Sequence, residues 1–180
     1  FAGMVKRFHA MDMPQHHSAE GRALLQSEYL KLAAELQEVT GRTLDTARLR
    51  GTIDIVNAKR EALARLSRLR AADPTPISGL DALLVNQVAF YDDPVRFTKA
   101  VNDVCDELEG RVARGEGVCP KGTPRILLSG CPMAVPNWKV PAIIEQGGAV
   151  IIGEESCVGE RGMRNLVDTT GDDVDSLIGR

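Results

Sequence analysis

Residues 125–161 read RILLSGCPMAVPNWKVPAIIEQGGAVIIGEESCVGER, and this stretch decides the fold. Arg125–Ser129 is a short apolar run ending in Gly130-Cys131-Pro132. Ala149–Gly153 is a second apolar run ending in Glu154-Glu155-Ser156-Cys157. One helix worth of residues lies between them, closed by Gly147-Gly148. The pattern predicts a βαβ unit, whose strands lie parallel and are joined by a right-handed crossover. Both cysteines then follow the carboxyl ends of neighbouring strands. Open α/β sheets bind ligands at that edge. Neighbouring strands lie about 5 Å apart, so two thiols distant in sequence are able to converge there.

Upstream the pattern is helical. Val5–Met13 reads as a strand stopped by Pro14, with His9 inside it. Ser18 suits the N-cap of a helix running to about Val39, and Gly41 suits the left-handed position after its end. The next helix is expected to start at Thr43. Leu44, Ala47, Ile53, Val56, Leu63, Leu66 and Leu69 fall at helical spacing along it. Lys59, Arg60, Arg65, Arg68 and Arg70 make its second half basic, which reads as a solvated face or an inter-subunit surface. Asp73-Pro74-Thr75-Pro76 ends it. Ser78 caps a shorter helix to about Phe90, and Asp93-Pro94 opens another that runs to about Arg114. After the Gly/Pro-containing linker 115–123, strand and helix alternate. A helix is expected over 162–167, and another from about Asp172. The chain is therefore expected to hold the end of a preceding α/β domain (1–14), a helical segment (15–117) and the first part of a Rossmann-like α/β domain (118–180). In fold class it is α/β, a helical segment followed by the start of a parallel-sheet domain.

The totals exclude several function classes. The 180 residues carry a formal net charge of −3, and the basic stretch 59–70 has no interleaved aromatics, so neither argues for nucleic acid. No apolar run approaches the roughly 20 residues of a membrane span. The four cysteines, at 105, 119, 131 and 157, form no dense disulfide pattern and no C-x-x-C pair; the context reads as intracellular. The chain opens on Phe1 and stops at Arg180, just after a helix, and is read as a piece of a longer protein.

Three roles are open to Cys131 and Cys157: packing as small apolar side chains, soft-metal ligation, and a redox disulfide. Gly130 and Gly159 let backbone approach a bulky group, and Pro132 stiffens the first loop. Cys105, between Val104 and Asp106 in a helix, reads as packing. Cys119 sits in the linker beside Pro120 and reads as non-functional. Glu154, Glu155, Glu160 and Arg161 surround the second cysteine; the acidic ones are either solvated or cap the following helix, or else Glu154 and Glu155 support a ligand loop. Trp138 reads as packing on the sheet, and Lys139 as a solvent-facing residue. His16 and His17, being adjacent, point different ways and do not share a metal.

The segment RILLSGCPMAVPNWKVPAIIEQGGAVIIGEESCVG resembles the 2-hydroxyacyl-CoA dehydratase superfamily, which includes benzoyl-CoA reductase subunits and double-cubane cluster proteins. TGRTLDTARLRGTIDIVNAKREALARLSRL and PTPISGLDALLV are similar to that family's middle segment, and MDMPQ resembles its strand-ending proline segment before the helices, so the resemblance covers nearly the whole chain. It implies two Rossmann-like domains joined by a helical segment. It also implies a 4Fe–4S cluster, or a bridged double cubane, held by cysteines of both domains, with Cys131 and Cys157 matching two of them. Electrons would come at low potential from an activator ATPase with its own iron–sulfur cluster. In dehydratases the electron forms a ketyl radical on a 2-hydroxyacyl-CoA, which then loses water. The expected partners are a second subunit of the same fold or a second copy, with an acyl-CoA substrate, in an anaerobic cytoplasmic setting. A double-cubane reductase of small molecules and an electron carrier without acyl-CoA chemistry are the alternatives.

Overall fold

The computed structural model describes residues 3–4, 6–133 and 136–179. It divides into two compact units, residues 1–54 with 167–180, and residues 55–166.

The first unit contains α1 (Ala19–Thr40), the start of α2 (Thr46–Leu69) and α6 (Val174–Ile178). Ser18 Oγ accepts from Gly21 N, and Gly41 closes α1 at φ 65°, donating its N–H to the Gln37 carbonyl. Glycine adopts that left-handed φ most readily, having no Cβ. The second helix begins at Thr46 rather than Thr43, because Asp45 does the capping: its Oδ1 accepts from Arg48 N at 2.8 Å. Of the strand expected over Val5–Met13, Val5 lies outside the described residues, and residues 6–13 form no strand. A strand needs a neighbour, and here the backbone finds a side chain instead: Asp12 N donates to Glu28 Oε2 at 3.2 Å. Glu28 is buried, and its hydrogen bond from Lys31 Nζ, with that from Asp12 N, holds its carboxyl below the usual carboxylate value. α6 carries a capping box between Asp173 and Ser176. Arg50 donates to the carbonyls of Thr169 and Gly171, which ties the start of α2 to the loop before α6.

The second unit contains the rest of α2, α3 (Gly79–Val88), α4 (Pro94–Ala113), β1 (Arg125–Ser129), α5 (Lys139–Gln146) and β2 (Val150–Glu155). Its core is built where the helical periodicities meet. Ala62, Leu63 and Leu66 of α2 pack with Ala82 of α3, with Phe97, Val101, Cys105 and Leu108 of α4, and with Met163. Asp93 caps α4 by accepting from Val95 N and Arg96 N, and Pro94 occupies the first turn, where a missing N–H costs nothing.

β1 and β2 are parallel neighbours, as the βαβ pattern requires. Ser129 pairs with Glu155, and a bulge falls between Ile126 and Leu127, which face Ile151 and Gly153. β2 extends two residues past the apolar run, so Glu154 and Glu155 are strand residues. In place of the expected helix over 162–167 there is a single 3-10 turn, Glu160–Met163, followed by irregular chain. Gly162 weakens a helix there by about 1 kcal/mol, and Glu160 is pulled into an ion pair with Arg70.

One contact sets the helices onto the sheet. Glu145 of α5 accepts from Gly79 N at 2.7 Å and from Ile151 N at 3.3 Å. It thereby supplies an anion to the first turn of α3 and joins that turn to β2. The approach is close: a Cβ on Gly79 would stand 2.4 Å from Ile151 Cβ. Gly79→Ala must push α3 off the strand, and the expected loss is about 1–3 kcal/mol, read as a lowered urea midpoint.

Candidate functional site

The site is built at the ends of the two strands. Because Ser129 and Glu155 pair in register, the residues that follow them leave the sheet at one edge. Gly130 donates its N–H to the Glu155 carbonyl at 3.3 Å and turns with φ 135°. A Cβ there would meet nothing within 4 Å, so the need for glycine is conformational. Cys131 follows, exposed. Past the end of the neighbouring strand Ser156 is buried and Cys157 is exposed. The turn after Ser156 is tight: Gly159 N donates to the Ser156 carbonyl at 3.2 Å, and a Cβ on Gly159 would stand 2.2 Å from the Glu154 carbonyl oxygen. Gly159 thus serves backbone against backbone.

The two thiols share this edge and open into different clefts. Cys131 lines one with Met133, Val140, Glu154 and Ser156. Cys157 lines another with Lys59, Leu63, Phe90 and Met163.

A polar network links the strand ends to the second sulfur. Arg161 grips Glu155 with two hydrogen bonds, Nε to Oε1 and Nη2 to Oε2, each 2.8 Å. Ser129 Oγ, at the end of β1, donates to the same carboxylate at 3.2 Å. The remaining Arg161 nitrogen, Nη1, lies 3.6 Å from Cys157 Sγ and donates to it. The guanidinium beside Glu155 holds that carboxyl down at about 2, and the Arg161 pKa rises in return.

Beneath this network lies a second one. Arg70 is 1 % exposed. It donates to Glu160 Oε1 at 3.1 Å and to the Ile151 carbonyl at 3.0 Å, while its Nε has no partner among the described residues. Burial pulls the guanidinium below its ordinary value, against the pull of Glu160, Glu154 and Glu145. Glu154 is buried at 2 % exposure, and burial pushes its carboxyl up although Ser156 Oγ donates to it at 3.2 Å. So Arg70 is no part of a solvated basic face, as its run of sequence suggested, and Glu154 is not solvated.

The remaining candidates separate cleanly. Cys105 is fully buried in α4, and burial pushes its thiol up. Cys119 is half-buried in the linker beside Pro74 and Val118. Trp138 remains 39 % exposed at the start of α5, more than full packing on the sheet would leave. Lys139, His16 and His17 are exposed. Among the described residues, no group of three His, Cys, Asp or Glu side chains is arranged to hold a metal ion, and no helix is long and apolar enough to cross a membrane. In kind, the donors suit an iron–sulfur cluster: two exposed thiols, one with an N–H donor on its sulfur, beside open space at Gly130. A cluster ligated by four cysteines needs two more than this edge presents. Sequence reasoning set Glu160 and Arg161 around Cys157 but did not find their partners, Arg70 and Glu155; it missed Arg70 altogether as a site residue, for which there was no local signal.

Comparison with known proteins covers the entire chain. The family described as 2-hydroxyglutaryl-CoA dehydratase, D-component, matches residues 1–180. YjiM of Escherichia coli (strain K12), which carries the name of a dehydratase subunit, is 33% identical over 96% of this chain and 45% of its own length. A benzoyl-CoA reductase subunit of Thauera aromatica is 22% identical over 98% of this chain and 44% of its own. The (R)-phenyllactyl-CoA dehydratase beta subunit of Clostridium sporogenes is 22% identical over 94% and 44%. The chain therefore spans less than half the length of the curated relatives it matches.

Proposed function

Because the chain belongs to the 2-hydroxyglutaryl-CoA dehydratase D-component family, we propose that it forms part of an iron–sulfur subunit of an ATP-dependent radical dehydratase or reductase. The substrate class is a 2-hydroxyacyl-CoA or a related thioester. The relatives carry the names of dehydratase and reductase subunits, and a second subunit of the same fold or a second copy is the assembly partner under this reading. Electrons arrive from an activator ATPase, in the cytoplasm. In domain terms, residues 1–14 end one α/β domain, 15–117 are the helical segment, and 118–180 begin a Rossmann-like domain. Two features support that last assignment. A lone two-stranded sheet is marginal by itself, and Leu127 on β1 is 66 % exposed, an apolar face suited to further packing.

The observation that carries the proposal is the pair of exposed thiols at the ends of two paired parallel strands, in a chain matched by the family over its whole length. Cys131 and Cys157 would hold iron, and the cluster, when bound, supplies one-electron transfer at low potential. The chain's own contribution is positional. Gly130 leaves room for a bulky group, Gly159 closes the second loop, and Ser129, Glu155 and Arg161 tie both strand ends to one sulfur.

The test is anaerobic purification of the full-length protein with iron and sulfide counts and electron paramagnetic resonance. Turnover of a CoA thioester with the activator ATPase and ATP follows. About four irons per chain with turnover support the single-cluster dehydratase. About twice that count points to the bridged pair. Iron without thioester turnover points to the electron carrier. A protein without iron rejects the reading.

A further inference from the structure

We infer that Arg161 is a positioning residue that sets the reduction potential at Cys157, by placing a guanidinium N–H on its sulfur. The inference rests on the proposed ligand role of Cys157 and deepens it. The geometry is specific. Two of the three guanidinium nitrogens are spent on Glu155, each at 2.8 Å, and the third lies 3.6 Å from Cys157 Sγ. An arginine gripped this way cannot turn its third N–H elsewhere without breaking the fork. Glu155 is itself anchored, since Ser129 donates to it from the neighbouring strand. The donor therefore comes from a fixed frame that includes both strand ends, although half of the Arg161 side chain is open to solvent.

The consequence follows from charge. Adding one electron to a thiolate-bound cluster makes its sulfur ligands more negative. A cationic N–H donating to one of those sulfurs favours the more negative state and raises the potential. Removing the donor should make the cluster harder to reduce. Arg164 provides the control. Its guanidinium lies 3.9 Å from the same Glu155 carboxylate, whereas among the described residues the hydrogen bond to the sulfur comes from Arg161. Losing Arg164 removes an equal charge from the neighbourhood without touching Cys157.

The experiment is a redox titration of the full-length protein with titanium(III) citrate and mediators, followed by electron paramagnetic resonance. It compares wild type, Arg161→Met, Arg161→Gln and Arg164→Met, with iron counted in each and in Cys157→Ser. Full iron is expected in the arginine variants. The midpoint should fall most in Arg161→Met, less in Arg161→Gln, which keeps an N–H, and least in Arg164→Met. A changed g-tensor should accompany the Arg161 shifts alone. If Arg161→Met loses its iron, Arg161→Gln against Arg164→Met decides the matter. Equal midpoints in the Arg161 variants and wild type, or an equal shift in Arg164→Met, overturn the inference. If Cys157→Ser keeps its iron, the ligand reading fails first, and this inference with it.

Discussion

Cys131→Ser and Cys157→Ser, each made in the full-length protein, are expected to lose most of the cluster iron. Cys105→Ser should retain it. The three thiols differ in where the fold puts them. Cys131 and Cys157 are exposed, one residue past Gly130 and Ser156 at the ends of paired strands. Cys105 is fully buried among Leu66, Phe97 and Leu108 of the helical core, and its thiol is pushed up by that burial, away from the thiolate form that ligates metals. Removing even an outer partner of a metal site typically costs about 10–100-fold in affinity, and removing a ligand costs at least as much. The effect should therefore show as missing iron in the purified protein, before any activity is measured. Cys105→Ser buries a hydroxyl in an apolar core and should lower the urea midpoint while leaving iron per folded chain unchanged. Full iron in both exposed-cysteine variants would remove the ligand assignment. Iron loss in the Cys105 variant at unchanged stability would show that the wrong thiol was chosen.

Glu160→Ala should be among the most destabilising single changes in the second unit, at about 3–5 kcal/mol. The reason is the charge left behind. Arg70 lies beneath the sheet with a side chain 2 % exposed, whereas Glu160 is 19 % exposed. Without the carboxylate, the guanidinium keeps the Ile151 carbonyl and the more distant pull of Glu154 and Glu145, and its Nε already has no hydrogen bond among the described residues. Arg70→Met should cost less, because the orphaned Glu160 can turn to water. Arg70→Met with Glu160→Met should recover most of the loss, since an apolar pair of similar volume replaces a buried ion pair at little cost. The two sites touch, so their effects should not add. Urea denaturation of the four proteins checks this. A loss under about 1 kcal/mol for Glu160→Ala would mean that water reaches Arg70, the value of a surface pair.

Much of the architecture was legible residue by residue. Ser18, Gly41, Ser78 and Asp93-Pro94 mark helix ends because capping depends on a side chain and backbone groups a few positions away. The apolar runs before Cys131 and Cys157, separated by one helix, were enough for parallel pairing, since the crossover leaves little choice of topology. Where local pattern lacked a partner, it misled. The strand expected over Val5–Met13 is not formed by its described residues, 6–13, because among the described residues no neighbouring strand takes up their hydrogen bonds. The helix expected over 162–167 shrank to one turn, because Glu160 is claimed by Arg70, just past the end of α2.

Chain chemistry alone established the element order, the caps and the two thiols that leave neighbouring strands. The folded arrangement decided everything that depends on enclosure. It buried Arg70 and Glu154, spent Glu145 on the first turn of α3, aimed Arg161 at one sulfur, and opened the thiols into separate clefts. Capping and periodicity act between residues a few positions apart. Burial and ion pairing join groups far apart along the chain, such as Arg70 and Glu160, and nothing in the local order of residues names such a partner until packing excludes the water.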